Sequence, residues 1–191
     1  MFKKIYSNFL SKNEQKSLLD FARKSIAAKL RGEKPASFEQ VSPRLKAERG
    51  AFVTLTKNEN LRGCIGFIKG FKPLYETIQE VAEAAAFRDP RFPPLQADEL
   101  PEITIEISVI SPLRKISSIK KIKVRRHGLF IKLGNAQGLL LPQVALHNNW
   151  NRETFLEHVC LKAGLEKDDW RNPEAEIMIF DAQVFKEDAN S

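Results

Sequence analysis

Residues 103–109 read Ile-Thr-Ile-Glu-Ile-Ser-Val, an alternation of apolar and polar side chains. Successive side chains of a strand point to opposite faces, so this segment buries one face and wets the other. Such a strand belongs to an antiparallel sheet, because a parallel sheet is covered on both sides and its strands run apolar throughout. Two further strand pairs fit the same sheet type. Ala51-Phe52-Val53-Thr54-Leu55-Thr56 is strand-like, Lys57-Asn58-Glu59-Asn60 is turn-like, and Leu61 to Ile68 is extended again, which predicts a hairpin. Leu129 to Leu133 and Leu139 to Leu141 flank Gly134-Asn135-Ala136-Gln137-Gly138, a second hairpin, and Glu176 to Phe185 supplies a last strand.

Helices fall between these strands. Ser11 with Glu14 three residues on forms a capping box, Leu18, Ala22 and Ile26 make an apolar stripe with Leu19 and Leu30 beside it, and Gly32 marks the stop. Residues 33–50, with Pro35 and Pro43, read as a connecting excursion. Pro73 opens a second helix, with Leu74, Ile78, Val81, Ala82 and Ala85 on one face; Pro90, Pro93 and Pro94 end it near Phe87. A third spans Arg152 to Ala163, between the cap Asn151 and the stop Gly164. Hairpins interleaved with helices, without regular strand-helix-strand alternation, give an α+β fold.

With 191 residues the chain buries a full core without disulfides. Cys64 and Cys160 are the only cysteines and have no CxxC spacing, which argues against a disulfide framework and a structural zinc site. No apolar run approaches the roughly 20 residues of a membrane span, and the N-terminus lacks the apolar stretch of a secretory signal. The expected compartment is a reducing cytoplasm. The net charge is +7, and residues 111–132 alone hold eight basic residues and no acid. That run is a candidate surface for an anionic ligand or RNA, although no aromatic residue is interleaved in 114–126 as a base-stacking platform requires.

The segment with the most chemical content is Leu61-Arg62-Gly63-Cys64-Ile65-Gly66. Two glycines in a strand are costly unless a bulge or a close approach needs them. In an unbroken strand Arg62 and Cys64 share a face, and a guanidinium beside a thiol favours the thiolate. Two readings stay open here: a nucleophile, redox-sensing thiol or soft-metal ligand, or a small buried residue in a glycine-rich strand with Arg62 as a surface charge. Arg88-Asp89-Pro90-Arg91 presents two guanidiniums around one carboxylate, either to bind an anion or to lock the loop. Of the histidines, His127 is a candidate base toward Cys64, whereas His158 and Cys160 read as structural. No GxxxxGK[ST], GxGxxG or GxSxG occurs, which removes support for nucleotide-hydrolysing, dinucleotide-binding and serine-hydrolase classes.

LRGCIG at 61–66 resembles the hallmark hexapeptide of the AMMECR family. FVTL (52–55), AAFRDPRFPPL (85–95), IEISV (105–109), HGL (127–129), LLLPQVA (139–145) and FLEHVCLKAGL (155–165) follow in that family's order. The resemblance implies one domain over 15–187 with an N-terminal extension at 1–14 and a tail at 188–191, two lobes, and antiparallel sheets flanked by helices. It implies a cleft lined by the hexapeptide, with Arg62, Cys64 and His127 as candidate catalytic residues and Gly63, Gly66, Arg88, Asp89, Arg91 and Gln143 as candidate ligand-binding residues. It also implies an accessory role beside Memo-like and radical S-adenosylmethionine partner proteins, as for protein A of the AmmeMemoRadiSam system. The chain departs from the pattern at His147, where an acidic residue is usual, so no role needing a carboxylate there is carried over.

Overall fold

The computed structural model describes residues 10–34, 37–39 and 42–188. Most of the expected N-terminal extension, Pro35 and all but the first residue of the expected tail lie outside the described residues. The chain is an α+β protein that divides into two compact units, residues 1–110 with 183–191, and residues 111–182.

In the first unit α1 (Lys12–Leu30) starts at the expected capping box: Ser11 Oγ accepts from Glu14 N–H at 3.3 Å, and Glu14 Oε2 accepts from Ser11 N–H at 2.7 Å. The short helix α2 (Pro43–Lys46), within the segment read as a connection, is capped by Ser42. The hairpin β1 (Ala51–Lys57) and β2 (Asn60–Phe67) turns on Asn58 and Glu59, both in the left-handed region with φ of 50° and 63°. Two left-handed central residues make the turn whose twist matches the flanking strands, and here a glutamate bears the cost that glycine usually avoids. α3 (Leu74–Phe87) follows with Pro73 as its cap, and β3 (Ile103–Ile110) comes after a 3-10 turn at Ala97–Glu102. The strand order β2-β1-β3 is antiparallel throughout.

Leu18, Ala22 and Ile26 of α1 and Ile78, Val81 and Ala82 of α3 are fully buried against Val53, Leu55, Ile105 and Ile107. Each large apolar side chain so buried contributes about 1.5–3 kcal/mol. Odd-numbered residues of β1 therefore face the helices, and even-numbered ones face the opposite side. A part-buried ion pair fastens the chain's end to this unit: Arg23 binds Glu187 through Nε and Nη2, both at 2.6 Å, while Glu187 also accepts from Ile105 N–H at 2.8 Å.

The second unit pairs β4 (Arg114–Lys115) and β5 (His127–Leu133) on either side of β7 (Glu176–Lys186), with β6 (Ala136–Leu140) outside β5. β7 is shared, since its residues from 183 onward belong to the first unit. The five-residue loop expected at 134–138 shrinks to two residues, because Ala136, Gln137 and Gly138 pair with Leu133, Lys132 and Ile131. Two helices, α4 (Pro142–His147) and α5 (Arg152–Lys162), complete the unit. Phe155, Leu156, Val159 and Cys160 of α5 pack on Leu129, Ile131 and Ile179. Cys160 is fully buried and its pKa is pushed up to about 11, chiefly by that burial. His158 stacks on Trp150 with ring centres 3.9 Å apart.

Candidate functional site

The hexapeptide lies in β2, which ends the β2-β1-β3 order. Its register with β1 runs Ile65 opposite Val53, Cys64 opposite Thr54, Gly63 opposite Leu55, and then Leu61 opposite Thr56. Arg62 is the extra residue of a β-bulge. This corrects the expectation that Arg62 and Cys64 share a face, which holds only for an unbroken strand. Cys64 lies with Thr54 on the sheet face away from α1 and α3. Arg62 turns instead to Glu99, the carboxylate also reached by Lys57.

That ion pair is bidentate, with Arg62 Nε and Nη2 at 2.9 and 2.8 Å from the two Glu99 oxygens. The Arg62 hydrogen bonds pull the Glu99 pKa down to about 2 against the opposing effect of burial, with help from Gln96 N–H and Lys57. Arg62 Nη1 is buried without a hydrogen-bond acceptor among the described residues, and its guanidinium carbon stands 6.0 Å from the Phe92 ring centre. Arg62 thus ties β2 to the 3-10 turn at Ala97–Glu102.

Asp89 and Arg91 brace the other side of the strand. Asp89, whose side chain is 2% exposed, accepts from Cys64 N–H at 2.8 Å and from Arg91 N–H at 3.1 Å. Arg91 grips the same carboxylate through Nε at 2.9 Å and Nη2 at 2.6 Å, and Nη2 also donates to the Cys64 carbonyl at 3.3 Å. Two side chains do for Cys64 what a neighbouring strand would do, satisfying both backbone groups of an edge residue. The Arg91 hydrogen bonds hold the Asp89 carboxyl well below the usual carboxylate range despite its burial. Arg91 is itself raised, first by Asp89 against burial, and also by the charge of a Cys64 thiolate, so guanidinium and sulfur attract. Arg88 takes no part in this brace: its backbone caps α3 while its side chain is exposed.

The chain's own packing accounts for both glycines. A Cβ on Gly63 would sit 2.1 Å from the Ala85 carbonyl oxygen of α3, and one on Gly66 would sit 2.2 Å from the Phe52 ring. At the thiol itself, the Thr54 hydroxyl donates to Cys64 Sγ at 3.3 Å.

His127 and Gln143 belong to the second unit, and Cys64 to the first. His127 is buried, and its Nδ1 accepts from Lys123 N–H at 3.1 Å, which leaves the neutral ring's proton on Nε2. Burial lowers its pKa; Asp181, its partner across the strands, opposes that effect. Asp181 holds Arg114 at 2.8 Å and Arg126 at 2.9 Å, and Lys115 pairs with Glu176. Part of the basic run is therefore neutralised within its own unit. Gln143 is half-buried on the first turn of α4.

Among the sequence-derived candidates, the structure gathers Cys64, Asp89 and Arg91. Thr54, Glu99 and Asp181 were missed. Thr54 follows from the hairpin only once the bulge is known, and nothing local marks Glu99 or Asp181 as a partner for distant arginines. Among the described residues, no group of three or more His, Cys, Asp and Glu side chains is placed to hold a metal ion, and no helix is long and apolar enough to cross a membrane.

Comparison with known proteins agrees with this architecture. The chain is 44% identical to protein MK0488 of Methanopyrus kandleri over 188 residues, which covers 94% of this chain and 91% of that one. It is 40% identical to protein NEQ441 of Nanoarchaeum equitans over 179 residues, covering 90% and 99%. The crystal structure of the uncharacterized protein PH0010 from Pyrococcus horikoshii superposes with a TM-score of 0.84 at 37% identity, covering 90% of each chain. A model of the AMMECR1 family matches residues 19–185, and the chain belongs to that family.

Proposed function

We propose that this chain is a binding module whose working surface is the hexapeptide strand with its Asp89–Arg91 brace, acting as an accessory to partner enzymes in a modification pathway. The observation that carries this reading is the commitment of the charged groups around the strand to one another: Arg62 to Glu99, and Arg91 to Asp89 and the Cys64 carbonyl. Groups spent in this way fix a shape rather than stand ready as acid and base. Arg91, 48% exposed on its solvent side, is the contact offered to a partner. The resemblance names Memo-like and radical S-adenosylmethionine proteins as the partner classes. Sedimentation velocity of the chain mixed with one protein of each class tests the reading. A complex weakened by Arg91→Ala supports it, and no complex with either class overturns it.

A second reading is thiol chemistry at Cys64, favoured by the Thr54 hydroxyl on the sulfur and the attraction between Arg91 and a thiolate. It predicts that native Cys64 reacts with iodoacetamide faster at neutral pH than the same cysteine in the unfolded chain. Equal rates would remove it.

A further inference from the structure

The loop between β2 and α3 carries the one aromatic side chain that the described residues leave largely exposed: Phe71 is 74% open to solvent. Single exposed apolar residues are ordinary on a protein surface, so exposure alone says nothing. The setting of this one is more specific. One end of the loop is fastened by the pairing of Phe67 with Ala51, the other by the bridge between Glu48 and Pro73 and by Leu74 N–H, which donates to the Ala47 carbonyl at 3.1 Å. Between these ties Gly70 lies so close to the backbone of Glu48 and Arg49 that a Cβ there would collide with both. Phe71 is thus displayed by a backbone held in place. The adjoining segments are basic. Lys69 is exposed, Arg49 is half-buried, and neither has an ion pair or side-chain hydrogen bond among the described residues. Lys72 pairs with Glu80, Arg44 pairs with Glu14, and Glu48 is the one acid in residues 42–50 and 67–74. Burial lowers the pKa of Arg49 and the Arg44 charge lowers it further. A cation that loses water without gaining a partner leaves room for an anion from outside the chain.

We propose that the Phe71 loop and Arg49 form a contact site for single-stranded nucleic acid, in which a base stacks on the Phe71 ring and backbone phosphates sit on Arg49 and Lys69. An aromatic face set among cations is the combination that holds unpaired strands, because every base has a face to stack and every nucleotide brings a phosphate. The basic run at 111–132 offers the charge without the stacking face, since residues 114–126 include no aromatic side chain. It also spends Arg114 and Arg126 on Asp181 and Lys115 on Glu176. A membrane fits less well: even a whole acyl chain anchors a protein only marginally, and one phenylalanine buries far less apolar surface. Paired bases present no free face, so the site selects unpaired strands. It shares no residue with the Asp89–Arg91 brace, and it stands or falls independently of the binding-module reading.

The test is fluorescence anisotropy of a fluorescein-labelled RNA of about ten nucleotides without self-complementarity, and of the DNA strand of the same sequence, titrated with the full chain from about 50 to about 200 mM salt. Phe71→Ala weakens binding about tenfold, within the range set by one stacked base, and Phe71→Trp keeps it. Arg49→Gln and Lys69→Gln each reduce the slope of log affinity against log salt by about 0.7, one phosphate apiece. Phe71 and Lys69 are exposed and Arg49 has no partner to lose, so all four variants keep native circular dichroism and the wild-type melting temperature. Annealing the strand to its complement removes the advantage of the ring, and wild type and Phe71→Ala then bind alike. No binding of either strand at the lowest salt overturns the proposal. So does binding that Phe71→Ala leaves unchanged, or binding lost instead on Lys120→Gln/Lys121→Gln in the other unit. Phe71-dependent binding to phosphatidylserine vesicles, without binding to RNA or DNA, overturns it in favour of a membrane contact.

Discussion

Replacing Asp89 by alanine removes four acceptor contacts at once: to Cys64 N–H, to Arg91 N–H, and to Arg91 Nε and Nη2. The ion pair is the smaller part of the loss. Arg91 is 48% exposed, so its charge returns to water, and a pair of this kind contributes at most about 1 kcal/mol. The larger part is the Cys64 N–H, which points off the sheet edge at a carboxylate that is 2% exposed and loses its acceptor, at about 1–3 kcal/mol. Together the loss is about 1–4 kcal/mol. For a chain of this length each kcal/mol lowers the melting temperature by about 2–4 °C, so a fall of roughly 2–16 °C is expected. Hydrogen exchange followed by NMR isolates the cause. The Cys64 amide loses protection in Asp89→Ala, while the core-facing strand pair Val53 and Ile65 keeps its own. Asp89→Asn, which retains an acceptor oxygen, restores much of the Cys64 protection. An unchanged Cys64 exchange rate in Asp89→Ala would refute the idea that this side chain stands in for a neighbouring strand.

Three further outcomes follow from the same geometry. Gly63→Ala drives a methyl to 2.1 Å from the Ala85 carbonyl, where backbone on both sides resists movement; it lowers stability by about 1–3 kcal/mol or more, and an unchanged urea midpoint would contradict the close approach. Glu99 titrates at about 2 when folded and near ~4.3 when unfolded, so its contribution is complete above ~4.3 and disappears as pH falls toward 2; Glu99→Gln removes that part of the slope when urea midpoints are measured across this range. His127 has its folded pKa below 6.5, so the unfolded chain takes up its proton first and stability falls as pH drops below about 6.5. His127→Gln flattens the profile from there down, and a wild-type curve that rises with acidification would show the opposite sign.

Much of the architecture is readable from local patterns, because they report local physics. The alternation at 103–109 became β3, the Ser11–Glu14 box starts α1, and the stripe of Leu18, Ala22 and Ile26 is the face that α1 buries. Caps, turns and amphipathic periods depend on residues within a few positions of one another. The hexapeptide, too, is visible as a glycine-bracketed thiol in an extended segment, and its ordered companions point to the AMMECR family.

Its working geometry is another matter, because it rests on contacts between distant parts of the chain. Arg62 and Cys64 share a face by the strand's period of two, but the bulge opposite Thr56 breaks that period, and the bulge exists only in the pairing of β1 with β2. The cation at Cys64 is Arg91, 27 residues away, whereas Arg62 is drawn off by Glu99, 37 residues away. The need for glycine at 63 and 66 comes from α3 and from Phe52, and neither approach is written in the local sequence. Sequence shows which residues have chemistry to offer. Which of them meet is decided by packing, since long-range ion pairs and strand register form only when the chain closes on itself.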